Sequence, residues 1–259
     1  MMRTSSTGAE HDRSRRSERA GLAIGRLAAP LFAATTRARH ARTFHPCGDC
    51  ADAVVIVHEA VAPDLRPLAD RLAGPALVRF SDALTKRKAR YPDVLGCAIR
   101  FGDVESGDQD LLLATIKRPW TMPLSPLTTH VHDYLANDYF AVSPFSTPER
   151  ARVYFRLHPV VPRPAAPAGP SSRRAGLRRG RLERAIAIGD AVLELGVGDG
   201  PWGPFAPLAE LRLFSIWSDD LPMLRFDPFR SGRGIVPRGF VHALRRGVYG
   251  ASQRARGTK

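Results

Sequence analysis

The chain has 259 residues, enough for one substantial hydrophobic core or for two small domains. Hydrophobic residues make up 44% and charged residues 25%, which excludes a collagen-like, low-complexity or wholly disordered chain. The formal net charge is +14, with basic runs at residues 11–21, at 171–184 and at the C-terminus. We interpret the first two runs as solvated tails or loops. Because no basic run is interleaved with aromatic residues, specific nucleic-acid binding is not predicted.

Three cysteines, Cys47, Cys50 and Cys97, provide no disulfide framework and predict a reducing, cytoplasmic location. The Cys-x-x-C pair raises a zinc site and a redox dithiol as alternatives. Zinc needs four ligands, and His45 is the only further one nearby. A redox dithiol opens a helix after a strand, whereas here the strand follows the pair. We therefore predict packing roles for Cys47 and Cys50.

The pattern of apolar residues predicts the following elements in chain order. Residues 1–18 form a disordered basic tail, and a helix covers 19–34, too short and too interrupted by Arg26 to span a membrane. Strands are predicted from alternation at 51–61, 75–84, 93–102, 108–117, 185–198 and 209–218. Helices are predicted at 64–74, 129–142, 146–158 and 237–256. A loop rich in Pro, Ala and Arg covers 159–180. Antiparallel strands with inserted helices indicate a single α+β domain at 19–256 organised around a barrel.

The segment AVLELGVGDGPWG, residues 191–203, is an apolar strand that ends in alternating glycines. It matches the first motif of S-adenosylmethionine-dependent methyltransferases, in which a helix follows a parallel strand. Pro201, Pro204 and Pro207 disfavour such a helix, and too few residues remain for a doubly wound sheet. We predict a hairpin turn between two strands and keep a methyltransferase as the weaker alternative.

Arg245, Tyr249 and Arg256 have spacings of four and seven residues, which place them on one face of the predicted C-terminal helix. A guanidinium beside a phenol favours the phenolate and lowers its pKa. A phenolate suits ferric iron, and tyrosinate is one of the few proximal haem ligands that proteins use. On this segment alone, a basic amphipathic helix with a surface tyrosine is the alternative.

Taken together, these segments resemble the haem catalases and the small catalase-related peroxidases, in the family's order. RTFHPCG is similar to the family's Arg-x-x-His-x-x-Gly, which implies that His45 is the distal histidine and that Arg42 lies near the haem propionates. LVRFSD is similar to Val-Arg-Phe-Ser, which implies that Arg79 is a second propionate partner and that Ser81 steadies the distal histidine. DVLGCAIRFG, DQDLL and RFDPFRSGRGIVP resemble further strand elements and the segment before the proximal helix.

The same resemblance implies that Tyr249 ligates the iron of a haem b, that Arg245 keeps its phenolate ionised, and that Arg256 is a third propionate partner. It implies an α+β fold, an antiparallel catalase-like β-barrel with flanking helices. The implied function is a haem-dependent peroxidase that reduces hydrogen peroxide or organic hydroperoxides with a separate reductant. A homodimer is compatible with the sequence.

Two departures from the family weaken the expectation of catalase activity. Ala114 stands where catalases carry a distal asparagine, and Thr115 beside it could offer a hydroxyl in place of the amide. The chain is also about half the length of a full catalase. We therefore expect weak or no dismutation of hydrogen peroxide, and a non-catalytic haem-binding protein remains an alternative.

Overall fold

The computed structural model of the chain describes residues 18–19, 23, 48–83, 92–103, 107–117, 123–160, 174–218, 224–244 and 246. The predicted basic tail, most of the predicted helix at 19–34 and the end of the C-terminal helix lie outside the described residues. Cys47 also lies outside them.

Eight antiparallel strands form a closed barrel, in which the last strand returns to pair with the first. In barrel order they are β1 (Gly48–Val57), β2 (Gly74–Asp82), β3 (Leu95–Phe101), β4 (Gln109–Ala114), β5 (Tyr139–Phe140), β7 (Tyr154–Pro159), β8 (Val192–Gly198) and β9 (Ala206–Ile216). Two short strands, β6 (Phe145–Ser146) and β10 (Val236–Pro237), form a separate two-stranded sheet. The predicted α+β fold with an antiparallel barrel is confirmed.

Alternate residues of the barrel strands form its apolar interior. One row of directly paired residues is Ala51, Val78, Ile99 and Leu111. All four are buried, as are Tyr139 and Phe155 on the far side of the barrel. Since side chains alternate between faces with a period of two, the intervening residues of each strand lie on the outer face.

The prediction of a helix at 146–158 is wrong, because this stretch contains a turn followed by β7. Ser-Thr-Pro-Glu reads as a helix start, but the Thr147 Oγ1 accepts a hydrogen bond from the Arg150 N–H at 3.1 Å and closes a local turn instead. The Glu149 side chain is held mainly by a residue distant in sequence. It pairs with both terminal nitrogens of Arg71, at 2.6 and 2.9 Å.

The prediction of a helix at 129–142 is also wrong. The stretch contains one 3₁₀ turn, Tyr134–Ala136, and β5. Polar side chains satisfy the backbone here: Asn137 accepts from the His130 N–H at 2.8 Å and donates to the carbonyls of His130 and Asp133. Such side-chain bonds compete with the helical ladder, so the chain stays in a compact loop.

Three described helices lie in the barrel unit: α1 (Arg66–Leu72), α2 (Ser125–Thr128) and α3 (Arg174–Ala187). The first was predicted. The third begins inside the predicted loop at 159–180 and contains most of the central basic run, so the interpretation of that run as solvated is wrong for Arg178, which is 2% exposed.

Arg178 is buried because it has charged and aromatic partners at the barrel end. Its guanidinium pairs with Asp82 at 2.6 Å and lies over the Tyr134 ring, 5.1 Å from the centroid. The Tyr134 O–H donates to Asp49 at 2.9 Å, and burial raises the pKa of this phenol well above its ordinary value. Paired charges of this kind are the condition under which an arginine tolerates burial.

The glycine-rich segment joins β8 to β9 as an antiparallel hairpin, which confirms the predicted turn. Gly203 has a φ of +83°, a conformation that favours glycine. At Gly198, a Cβ atom would lie 2.6 Å from the Pro204 carbonyl oxygen. These glycines therefore serve the turn and the close approach of two strands, and no parallel strand–helix unit of the methyltransferase type is present at this segment.

The described residues fall into two compact units. The larger contains the barrel and the three helices. The smaller includes Ser143–Phe145 and the described residues from Pro237 onward, with 239–244 and 246 helical. Within it, the Phe145 and His242 rings meet edge to face, 4.8 Å apart. The predicted C-terminal helix is confirmed over these residues, whereas the prediction of a single domain stays a prediction.

None of the described helices has the length and apolar character that crossing a membrane would require.

The Arg71–Glu149 pair should make stability depend on acid pH. The two hydrogen bonds from Arg71 lower the pKa of Glu149 from 4.5 to about 2. Because the folded-state pKa is depressed, the stabilisation is complete above about pH 4.5 and is lost as the pH falls towards 2. Urea unfolding of Glu149→Gln at pH 7 should show a loss of about 1–2 kcal/mol, which shrinks below pH 4.

The control for this measurement is Glu183→Gln, whose carboxylate forms an exposed pair with Arg179 one helical turn away. It should change the free energy of unfolding by about 0.5 kcal/mol or less. An equal difference between Glu149→Gln and wild type at pH 7 and pH 3 would contradict the assignment.

Candidate functional site

The outer face of β1, β2, β3 and β4 carries the two predicted site residues that the structure describes. Directly opposed residues of antiparallel strands share a face. The first row across the four strands is Gly48, Ser81, Gly96 and Ala114. The second row is Cys50, Arg79, Ala98 and Leu112. We call these eight residues the β1–β4 face.

The β1–β4 face is shallow because five of its eight residues are glycine, alanine or cysteine. Ala98 and Leu112 are directly opposed, and each is the one position of its strand that is not fully buried. Cys50 is buried and packs in a cluster with Leu224 and Phe226, which confirms its predicted packing role. The cluster covers the face at Cys50, and Ala98 and Leu112 pack against it while staying partly exposed.

Arg79 is the charged residue of this face and is 4% exposed. Its guanidinium lies against Gly48: a Cβ atom there would be 2.9 Å from the Arg79 Cζ and Nη2 and 2.3 Å from the Phe80 carbonyl oxygen. Only glycine fits at this position. Gly48 is the glycine of RTFHPCG, so this segment and LVRFSD, which the sequence links to one site, meet at the point where Arg79 lies.

Ser81 follows Arg79 on the same face of β2 and is also buried. Its directly opposed neighbours are Gly48 on β1 and Gly96 on β3. Both directly opposed positions are therefore without a side chain. Arg79 and Ser81 thus form a cationic and a hydroxyl group side by side on a surface of small residues.

Ala114, where the family would carry an amide, faces an apolar cluster rather than a polar one. It packs with Val94, Ile116 and Val142. The hydroxyl of the adjacent Thr115 accepts from the Leu95 N–H at 3.1 Å and contacts the Thr129 Oγ1 at 2.8 Å.

The direction of the Thr115–Thr129 hydrogen bond follows from the second hydroxyl. The Thr129 Oγ1 donates to the Ser125 carbonyl oxygen at 2.8 Å, so its one proton is used. Thr115 must therefore donate to Thr129. The Thr115 hydroxyl has no second proton to offer, so it does not replace the missing amide donor.

A buried ion pair next to the β1–β4 face fixes the segment at residues 224–235. Arg100 and Asp110 are opposed on β3 and β4, with the Arg100 Nε 2.9 Å from the Asp110 Oδ1 and side chains 5% and 0% exposed. The Arg100 Nη2 also donates to the Arg225 carbonyl oxygen. The second Asp110 oxygen accepts from the Asp227 N–H at 2.7 Å.

Gln109 extends this attachment along β4. Its side-chain amide donates to the carbonyls of Arg230 and Ile235, at 2.8 and 3.2 Å, and accepts from the Ile235 N–H at 3.2 Å. The segment that resembles the approach to the proximal helix is therefore held at its start by Asp110 and at its end by Gln109. Sequence reasoning missed Arg100 and Gln109, although a charged pair inside two apolar strands was a visible signal.

Of the predicted site residues, Arg79 and Ser81 are brought together on one face. His45, Arg42, Arg245, Tyr249 and Arg256 lie outside the described residues. Cys97 is buried, and burial raises the pKa of its thiol, which keeps it protonated and a poor metal ligand. In the part of the chain that is described, no three His, Cys, Asp or Glu side chains cluster in a way that could hold a metal ion.

A comparison with solved structures finds a similar fold in the structure of a bacterial catalase, with a TM-score of 0.57 and 16% sequence identity. The match covers 83% of this chain and 57% of that chain, so this protein spans little more than half of the catalase's length. No protein-family model matches the chain. No curated protein matches it either. At this identity, the likeness concerns the catalase-like fold.

The close approach of Gly48 to Arg79 can be tested by Gly48→Ala. The added methyl group would collide with the Phe80 carbonyl, which cannot move without shifting β2. We expect a loss of about 1–3 kcal/mol in the free energy of urea unfolding. The matched control is Gly200→Ala, where a Cβ atom meets nothing within 4 Å. Equal stability of Gly48→Ala and wild type would contradict the observed geometry.

Asp110→Asn should be among the most destabilising single substitutions in the chain. It leaves the buried Arg100 guanidinium without its counter-charge, which typically costs about 3–5 kcal/mol. The control is Asp70→Asn, in an exposed pair with Arg66, with an expected cost of about 0.5 kcal/mol or less. A cost below about 1 kcal/mol for Asp110→Asn, measured by urea unfolding, would show that the pair does not anchor the segment.

Proposed function

We propose that the protein is a haem-dependent peroxidase built on a shortened catalase-like barrel. The observation that carries the proposal is the meeting of Gly48, Arg79 and Ser81 on a face of small residues. These residues belong to two separate segments that both resemble the family's distal motifs. The similar fold of a bacterial catalase supports the same assignment.

The described residues fit a haem in shape and charge. A flat macrocycle needs a surface without large side chains, and the first row of the β1–β4 face has two glycines and an alanine beside Ser81. A haem also carries two carboxylates, and the Arg79 guanidinium supplies a buried cation next to this row. The sequence prediction assigns the further cations that would contact the propionates to Arg42 and Arg256.

The residues that would hold the group and perform the chemistry are those of the sequence prediction. Ferric haem would supply the iron at which the peroxide O–O bond is broken. Tyr249 would hold the iron as a phenolate, which the Arg245 guanidinium favours. His45 would take the proton of the bound peroxide and return it to the leaving oxygen, and Ser81 would orient the imidazole.

The environment of Ala114 and Thr115 affects which class of peroxide the proposed site would favour. The position that would present an amide to peroxide is apolar, and the Thr115 proton is committed to Thr129. Hydrogen peroxide would lose one directional contact there, whereas an organic hydroperoxide could place its apolar group against the same surface. We therefore propose hydroperoxide reduction with an external reductant, with weak or no catalase activity.

The same observation favours a second candidate, a haem-binding protein without turnover. A distal site with no amide donor is adequate for binding haem and poor at activating peroxide. The two candidates differ in one measurement. Turnover of a hydroperoxide by the wild-type protein that collapses in His45→Ala, with haem retained, would exclude the non-catalytic candidate.

The proposal is tested by titrating the purified protein with ferric haem and recording the absorption spectrum. We expect saturable binding and a tyrosinate-type ferric spectrum that changes in Tyr249→Phe. The control is Tyr154→Phe, since Tyr154 lies in β7 and its hydroxyl accepts from Arg152 at 2.8 Å. The absence of a Soret band, or a spectrum unchanged in Tyr249→Phe, would overturn the proposal.

Comparing the affinities for haem and for haem dimethyl ester distinguishes a contact between Arg79 and a propionate from a purely structural role of Arg79. Arg79→Met should weaken haem binding by about tenfold, the value of one charge-assisted contact. Haem dimethyl ester has no charged propionates, so its affinity should be the same in Arg79→Met and wild type. An equal loss for both forms would show that Arg79 supports the fold and does not contact a propionate.

A further inference from the structure

A cavity in the barrel unit begins at Thr115, just beyond the end of β4. It has a volume of about 760 Å³ and opens between the end of β4, α2, the 3₁₀ turn and the end of β7. This is the size of a site for a small organic molecule. We propose that this cavity, the α2 groove, binds an amphipathic carboxylate, that is, one anionic head group on an apolar tail.

The walls of the α2 groove are held in place by hydrogen bonds within the protein. Asn137 lines the groove and uses its whole amide on the backbone of His130 and Asp133. The Thr128 hydroxyl donates to the Ser125 carbonyl oxygen at 3.2 Å, and the Thr115 hydroxyl is committed to Thr129. The groove is therefore preformed.

The rim of the groove is unusually apolar for a surface. Leu124 and Val160 are 60% and 45% exposed. They are two of the eight large hydrophobic residues that are exposed in the described part of the chain, and both line this one cavity. Exposed apolar residues scattered singly need no explanation, but their grouping around a concavity indicates a binding site.

The lining offers an anion one cationic side chain. Lys117 is exposed in the groove, and two imidazoles, His130 and His158, accompany it. Asp138 is the one acid among the lining residues, and it is 2.5 Å from the His158 Nδ1. The Asp138 carboxylate is directed at the His158 ring, and the exposed Lys117 ammonium is the group that would attract the carboxylate of the ligand.

The ligand class follows from what the lining does not offer. Recognition of a sugar or a base requires several directional donors and acceptors. Here the amide of Asn137 and the hydroxyls of Thr115 and Thr128 are engaged within the protein. A cation near an apolar rim, with few directional groups, matches a carboxylate with a hydrocarbon tail better than it matches a nucleotide.

The test uses the full chain without added haem, so its outcome is independent of the proposed peroxidase function. Isothermal titration with octanoate, decanoate and dodecanoate should show affinity rising about two- to fourfold for each added methylene. Dodecanol, which lacks the charge, should bind at least about tenfold more weakly than dodecanoate. Equal binding of dodecanol and dodecanoate, or no binding of dodecanoate, would overturn the proposal.

Two pairs of variants place the ligand in the groove. Lys117→Gln and Leu124→Asp should each weaken dodecanoate binding about tenfold, by removing the cation and by placing a carboxylate in the rim. Arg184→Gln in α3 and Ile188→Asp just after it make the same changes at exposed positions that do not line the groove, and should bind as the wild type does. Equal losses in the control variants, or competition by AMP as strong as that by decanoate, would refute this assignment.

Discussion

The buried ion pair between Arg100 and Asp110 is the interaction on which the arrangement around the β1–β4 face depends. Two charges inside a barrel wall are tolerated only when every donor and acceptor around them is satisfied. Arg100 and Asp110 meet that condition by bonding each other and the backbone of Arg225 and Asp227. The 224–235 segment therefore lies where its backbone can satisfy the hydrogen bonds of the buried charge pair.

The barrel could be predicted in outline because its strands alternate strongly. The runs that became β1, β2, β3 and β4 have one apolar face each, and this signal is local. The two mistaken helices failed for a related reason. The sequence around Thr147 and that around Asn137 contain side chains that cap helices and also close turns, and which outcome occurs depends on distant partners such as Arg71.

Site residues could be predicted to lie together only where their spacing along one strand places them on the same face. Arg79 and Ser81 are two residues apart on one strand, so a strand prediction already places them on one face. The contacts of Arg178 could not be predicted, because they join α3 to Asp82, 96 positions earlier, and to Tyr134 in a separate 3₁₀ turn. A run of arginines looks the same in sequence whether its members are solvated or, as at Arg178, buried against a carboxylate.

The closure of the barrel by β9 on β1 has a consequence for the order in which the protein can fold. The two strands are separated by about 150 residues, and the entropic cost of joining distant segments must be met before their contacts form. The β1 strand, with its apolar interior face, therefore keeps an unpaired edge until the chain has been made as far as Ile216. Folding that depends on such a late, long-range pairing is slow. It leaves an unpaired, aggregation-prone strand edge exposed throughout synthesis.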